Sequence, residues 1–584
     1  MIKKSIQREI QNYINGQVEI SEGYHFSAYK TIKRIMLYQN CIYPTGKIDS
    51  QGKYKYFFDI ASPRIDSEIK NIDFDTKDVA FYSEIPKDFL PVFISNIALK
   101  DWMRENKQSV RINDAIEQGT SWGNVAWKKI KGGYEMVDLK NFYVLNQTAR
   151  TLEDSPVIER HILTQSELRA KSDIWENIDD VIETCGSKTI SAVKDGIEQE
   201  KSVKYYEVYE RNGEISEKDL REAQGKTGGR EDKYLLAKVI VAGLEDEAGA
   251  KVLFAEEINE MPYKEYHRGR YHGRWFRQGL QEILFDIQTR ANEIGNQIAR
   301  GLEWSSKTIF SSSDKLIQKN VLTDMRSGDI IRAENLQQVS TRMQGIDQLI
   351  ADWNRLMEHA DKLCNSYEVV TGESLPSGTP FRLGAMMNQN ANKLFDFIRE
   401  KLGIALESVY EDWVLPEILK DLKKKKIIKI TGDNEILNKY YEMVVNGWYI
   451  KNLPMLPPHS QEQADMIKAQ KMEEIKARPE QYLKLEKTLW DNFKPRIRVI
   501  ITGENVNLLA ELETLQTFIQ LEQDPVRRTA LIEKAMKLKG IDAESLPKTP
   551  PVPMPTQPQR TPSTPSTAPP TGLQGAEMAA GIKK

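Results

Sequence analysis

At 584 residues the chain exceeds the size at which one hydrophobic core keeps growing, so two or more packing units are expected. Lys and Arg number 82 against 85 Asp and Glu, and the net charge of -3 excludes a protein that coats nucleic acid by bulk positive charge. The three cysteines, Cys41, Cys185 and Cys364, are odd in number and far apart, which excludes a disulfide framework and a CxxC metal knuckle and fits a reducing compartment.

The opening MIKKSIQREIQNYINGQVEI is polar throughout and reads as an amphipathic helix, without the apolar core of a signal peptide. No stretch approaches about 18 uninterrupted apolar residues, so no bilayer span is expected and a soluble protein is. Between Glu84 and Glu117, Phe93, Ile94, Ile97, Ala98 and Trp102 recur at helical spacing and predict two helices. Gly132 and Gly133 then separate two alternating runs (Val125, Trp127, Ile130, then Tyr134, Met136, Val137), a hairpin signal. With the strand-like VKYYEVYERNG, KYLLAKVIVAG and KVLFAEEI, residues 1–276 read as one α+β unit.

At Arg277 the pattern changes. Leu280, Ile283, Leu284, Ile287, Ala291, Ile294, Ile298 and Leu302 follow steps of three and four, which predicts one helix over 277–303, about 27 residues and roughly 40 Å long. Gly279, Gly295 and Gly301 lower its propensity without breaking the stripe. Residues 304–344 lose the period and read as short strands in a small polar module. A second long helix follows over 345–370, with Ile346, Leu349, Ile350, Trp353, Leu356 and Met357 on one face. TGESLPSGTPFRLG (371–384) stops it, since Gly, Pro and Ser give a loop. A third long helix is expected over 385–415, ending near Pro416. Residues 416–546 read as α+β with charged helices, and the Pro/Thr/Ser-rich 547–584 cannot bury enough surface to fold.

Catalytic constellations are not found. Gly225-Lys226-Thr227 resembles the end of a phosphate loop, but Leu220 stands where the first glycine of GxxxxGK[ST] belongs, and the preceding SEKDLREAQ is no buried strand. The closest histidines, His267 and His272, are surrounded by Arg268, Arg270 and Arg274, which disfavours a metal cation. No acid pair stands out, so neither a nuclease nor a glycosidase is indicated. The densest basic and aromatic cluster, YKEYHRGRYHGRWFRQG (263–279), admits two readings: phosphate binding and base stacking, or a turn anchoring the helix that follows through Arg–carboxylate pairs and aromatic packing. The second is favoured, with Arg268, Arg270, Arg274 and Trp275 as the anchoring residues.

The element order resembles the portal proteins of tailed bacteriophages, of the short-tailed-phage type. YHRGRYHGRWFRQGLQEILFDIQTRANEIGNQ is similar to that family's arginine-glycine turns followed by a helix carrying Gln and Asn. VVTGESLPSGTPFRLGAMMNQNANKLFDFIREKLG is similar to its tunnel-loop region, and EDSPVIERHILTQSEL (153–168) is a weaker match. The resemblance spans about residues 80–545 and rests on element order and these segments, not on a catalytic motif. It implies a wing from 1–276 with the long helix 385–415, stem helices at 277–303 and 345–370, and a small α/β clip at 304–344. A tunnel loop at 371–384, a mainly helical crown at 416–546 and a disordered tail at 547–584 complete the expected fold. No C-terminal helical barrel follows, a departure from some members.

The implied function is a non-enzymatic ring, typically of twelve copies, at one capsid vertex of the virion. Double-stranded DNA is packaged and ejected through it. The implied partners are terminase, head-completion or tail adaptor proteins, and the major capsid and scaffolding proteins, with assembly in the host cytoplasm and no cofactor, metal or membrane. A channel along which DNA slides cannot grip phosphates tightly, because each cationic contact adds affinity. Asp347, Asp352, Glu358 and Asp361 make the second stem helix net acidic, which suits such a wall, as it also suits an ordinary solvated face. Ser374, Ser377, Gly378, Thr379 and Arg382 are the expected DNA-facing loop residues. The competing readings are another structural head-tail protein (adaptor or scaffold), a subunit of a DNA-metabolism enzyme, and a cellular nucleic-acid binder using 263–279.

Overall fold

The computed structural model describes residues 2–49, 52–72, 79–83, 85, 88–185, 188–190, 193–194, 197–198, 203–244, 250–306, 309–311, 337–339, 345–364, 381–424, 427–429, 434–453, 461–477, 482–484, 490, 493, 495–499 and short helical pieces between 515 and 535. Ser374, Ser377, Gly378 and Thr379, the tail 547–584 and most of 304–344 lie outside the described residues. The chain divides into two compact units, Met1–Thr502 and Gly503–Lys584. It is a mixed helix-and-sheet protein.

The first unit begins with α1 (Ile2–Asn15), which buries Ile2, Ile6, Ile10 and Tyr13 at the spacing of one helical face. A small hairpin, β1 (Val18–Ser21) and β2 (Tyr24–Phe26), leads to α2 (Ala28–Gln39), capped by the Ser27 hydroxyl on the Lys30 N–H. After α3 (Ser62–Ile72) and β3 (Val79–Tyr82) come the two expected helices, α4 (Phe89–Glu105) and α5 (Gln108–Trp122). The hairpin expected at Gly132-Gly133 is present as β4 (Asn124–Ile130) and β5 (Gly133–Met136).

A six-stranded antiparallel sheet forms the middle of this unit. It uses β6 (Phe142–Val144), β7 (Val157–Thr164), β8 (Lys188–Ile190), β11 (Val203–Ser216), β12 (Tyr234–Ala242) and β13 (Lys251–Glu257), in the order β13-β12-β11-β7-β6 with β8 on β11. The short β9 (Val193–Lys194) and β10 (Ile197–Glu198) pair with each other. Alternate side chains feed two cores. Tyr209, Val239 and Val241 pack toward α1 and α2, while Tyr206, Val208 and Ile240 pack against α6 (Gln165–Arg169) and α7 (Ile178–Thr184). Gly225-Lys226-Thr227 follows α8 (Glu217–Ala223), whereas a phosphate loop precedes its helix, so the order is reversed. Strand β14 (Tyr263–His267) then adds to the free edge of β4.

The helix expected over 277–303 is not one rod. It starts at α9 (Leu280–Ile283), turns at Leu284 and continues as α10 (Phe285–Ser305). Leu284, at its cap geometry, lets Phe285 pack edge-on against Tyr38 at 5.2 Å and under the Arg34 guanidinium at 4.2 Å. The only described strands of the module that follows, β15 (Ile309–Ser311) and β16 (Gln337–Val339), pair antiparallel, and α11 (Ile346–Cys364) returns. The start of α10 packs on the end of α11, through Leu284, Ile287 and Ala291 against Ala360 and Cys364, so the two helices run antiparallel.

The third long helix, α12 (Phe381–Val409), starts four residues before the expected 385, so Arg382 lies in its first turn and not in a loop. Nor does it stop at 415: a π-turn at Tyr410–Val414 joins it to α13 (Leu415–Lys424). Pro416 has no N–H to offer the carbonyl of Asp412, and its ring crowds that turn, so the helix widens and continues instead of ending. Beyond lie β17 (Ile427–Lys429), α14 (Asn434–Asn452), α15 (Gln461–Lys476), β18 (Tyr482–Lys484) and β19 (Arg496–Val499). Strand β19 pairs with β3. One core therefore unites Ile72, Phe81, Ile94 and Trp127 with Phe395, Leu402, Trp413 and Leu422 and with Trp490 and Phe493, so part of 416–546 belongs to the same body as 72–136.

Candidate functional site

The turn between β14 and α9 is built around Asn124. Its side-chain N–H groups donate to the carbonyls of Trp122 and Arg277, both at 2.9 Å, and its Oδ1 accepts from the Arg277 N–H at 2.9 Å. That orientation makes Oδ1 an acceptor, so His267 Nδ1, 2.8 Å away, must carry the proton. Burial first, then the charges of Arg277 and Lys401, hold the His267 pKa well below its ordinary value, and the ring is neutral. The backbones meet without room for side chains: a Cβ on Gly279 would lie 2.4 Å from the nitrogen of Gly123, itself left-handed at φ 81°.

Around this crossing the arginines divide. Arg268 grips the almost fully buried Glu68 with both ends of its fork, one arm at 2.7 Å. Arg274 pairs with Glu282 at 2.6 Å and lies 3.8 Å over the Phe26 ring. Trp275 is buried, donates its indole N–H to Glu265 at 3.2 Å and packs on the His267 ring. Arg270 is exposed and makes no ion pair among the described residues. Lys401 on α12 closes the turn by donating to the carbonyls of Arg268 (2.9 Å) and Gly269 (3.3 Å). Burial, then Arg277, Arg268 and Arg270, lower its pKa to about 8.

On α10, three side-chain amides one turn apart hold the extended segment 54–60. Asn296 accepts from the Tyr56 N–H (2.8 Å) and donates to its carbonyl (2.9 Å); Asn292 accepts from Phe58 N–H (2.8 Å); Gln288 accepts from Ile60 N–H (3.0 Å) and donates to the Phe58 carbonyl. The periods match: four helical residues rise about 6.0 Å and two extended residues about 6.6 Å. The Phe58 ring lies beside Gly295 and meets Trp353 of α11 edge-on at 5.3 Å.

The acidic residues of α11 separate likewise. Asp352 meets Arg290 of α10 at 3.4 Å and Asp361 meets Arg64 of α3 at 2.7 Å, so both are tied to other elements. Asp347 and Glu358 are exposed. Asp352, Arg355, Leu356, Glu358, His359 and Lys362 line only an open depression of about 300 Å³ on this one helix. Arg382 lies in the first turn of α12.

Sequence reasoning missed a buried acid pair. Glu159 and Glu210 stand opposite each other on β7 and β11, with His161 at 3.7 and 3.3 Å from their oxygens. They are the described residues closest to a metal-binding group. Lys128 of β4, however, sits 2.7 and 2.8 Å from the two carboxylates, and Lys238 2.9 Å from Glu210. Two ammonium groups balance two carboxylates where a cation would go. Burial raises the Glu210 pKa, but His161, Lys128 and Lys238 more than offset it and hold it well below the usual carboxylate range. Only the strand register brings these residues together, so no spacing in the sequence marks them.

No family model matches the chain, and no curated protein matches it closely enough to count as a relative. Among the described residues no helix is long and apolar enough to cross a membrane.

Proposed function

We propose that the chain is a portal protein, a ring subunit through which double-stranded DNA enters and leaves a phage capsid. The observation that carries this reading is the excursion formed by α10, the β15–β16 pair and α11: one helix leads away from the α+β body, a small paired module follows, and an antiparallel helix returns to the same core. The amide clasp on 54–60 and the Arg290–Asp352 and Arg64–Asp361 pairs stiffen that excursion. A stem projecting toward a packaging motor needs such rigidity. In this reading the module is the clip that docks terminase and later head-completion proteins, α12 is the wing helix, and Asp347 and Glu358 are left to face the channel. A closed ring is the natural product of such a subunit using two different faces on each copy. Negative-stain microscopy of the purified protein tests this: rings with a central hole and about twelvefold symmetry are expected, and a compact monomer at every concentration would sink the proposal.

A further inference from the structure

Several cations near the β14–α9 turn have no ion-pair partner among the described residues. Arg268 and Arg274 are satisfied by Glu68 and Glu282, but Arg150, Arg270, Arg277 and Lys401 have no carboxylate within ion-pair distance among the described residues. They adjoin one another. Lys401 donates to the Gly269 carbonyl, Arg270 is the next residue, and a Cβ on Gly269 would lie 3.2 Å from Arg277 Cβ. The Arg277 fork reaches the Arg150 carbonyl at 3.5 Å, and the guanidinium groups of Arg150 and Arg277 lie 5.0 and 5.8 Å from the centre of the Tyr271 ring. Tyr271 is itself fixed by its hydroxyl, which donates to the Thr148 carbonyl at 2.8 Å.

The carboxyl group that acts on Arg277 from within is Glu265, and it is already engaged by the Leu152 N–H at 2.8 Å and the Trp275 indole. Burial, helped by Arg150, depresses Arg277 below its ordinary value against the pull of Glu265, and burial and then Arg277, Arg268 and Arg270 depress Lys401. Arg277 Nε is buried without a hydrogen-bond acceptor among the described residues. Like charges assembled this way, in a chain whose net charge is -3, are relieved by an anion.

We propose that Arg150, Arg270, Arg277 and Lys401 form a binding site for the phosphate groups of a nucleic-acid backbone. Planar guanidinium forks match phosphate oxygens in pairs, Lys401 adds a point charge, and the row of cations from Arg150 to Arg270 offers contacts to more than one phosphate. Phosphate contacts carry no sequence information, so binding is expected to be independent of sequence. The site belongs to the turn and α12, not to the α10–α11 pair, and it stands or falls separately from the ring.

The test is fluorescence anisotropy of the full chain with a labelled DNA duplex across a series of salt concentrations. Arg150→Gln combined with Arg270→Gln changes only exposed side chains, and thermal unfolding checks that the fold is kept. Two lost phosphate contacts are expected to weaken binding and to lower the slope of log K against log salt by about 2. Lys420→Gln with Lys424→Gln, an equal charge change on α13, is expected to leave that slope unchanged. Arg277→Lys keeps the charge and loses the fork, and is expected to weaken binding less than the double variant. No duplex binding by the wild type, or equal losses in both double variants, overturns the proposal. Saturable binding of inorganic phosphate without duplex binding would assign the site to the free anion, and binding of polyglutamate alone would assign it to an acidic protein; either also overturns the backbone assignment.

Discussion

The Asn124 side chain makes four hydrogen bonds with no exposed surface, joining α5's exit, His267 and Arg277. Asn124→Ala strands two carbonyls and two N–H groups in a space water does not enter, and is expected to cost about 3 kcal/mol, read as a shift of the denaturant midpoint at constant slope. A change below about 0.5 kcal/mol, the range of ordinary surface substitutions, would show that the crossing is held otherwise. Glu265 gives a pH signature. Burial pushes its carboxyl from 4.5 up to about 7 against the hydrogen bonds from Trp275 and Leu152. Between those values the native state binds more proton than the unfolded chain, so its contribution falls as pH rises from 4.5 to 7. Glu265→Gln keeps an acceptor for Leu152 and the indole without the charge. It is expected to be more stable than wild type by up to about 3 kcal/mol at pH 8, the difference vanishing at pH 4; a constant difference across that range would refute the assignment.

Elements show where pattern informs and where it stops. The apolar stripe of α10 was legible because its period is local, and so was the hairpin at Gly132-Gly133. Gln288, Asn292 and Asn296 were equally visible, as polar residues one turn apart, but their partner 54–60 lies more than two hundred residues earlier and no spacing points to it. Glu68 as the partner of Arg268 was hidden for the same reason, and the kink at Leu284 because the stripe runs through it unbroken. Helical glycines make the point testable. At Gly295 a Cβ would stand 2.4 Å from the Phe58 ring, whereas at Gly447 in α14 it meets nothing within 4 Å. Gly295→Ala is expected to destabilise by about 1–3 kcal/mol through overpacking. Gly447→Ala is expected to stabilise by about 0.5–1 kcal/mol from helix propensity. Thermal unfolding that moved both variants in the same direction would contradict this account.

At the scale of the molecule the portal proposal makes a demand on the segment after α11. Deleting 375–380 is expected to leave ring formation intact while impairing packaging or retention of DNA, and unchanged packaging and retention would end the gating role. A feature of the first unit bears on how such a subunit comes to exist at all. Because β3 pairs with β19 and Trp490 and Phe493 finish the core begun by Ile72 and Phe81, early and late segments complete one another. At the usual pace of synthesis, about 5–20 residues per second, the intervening four hundred residues take roughly 20–80 s to emerge. For that interval the nascent chain presents an unfinished apolar surface and an open strand edge to its surroundings. A truncated product ending before Trp490 would keep that surface for good, so a stop codon shortly upstream of Trp490 should yield an aggregating polypeptide and not a shortened working protein.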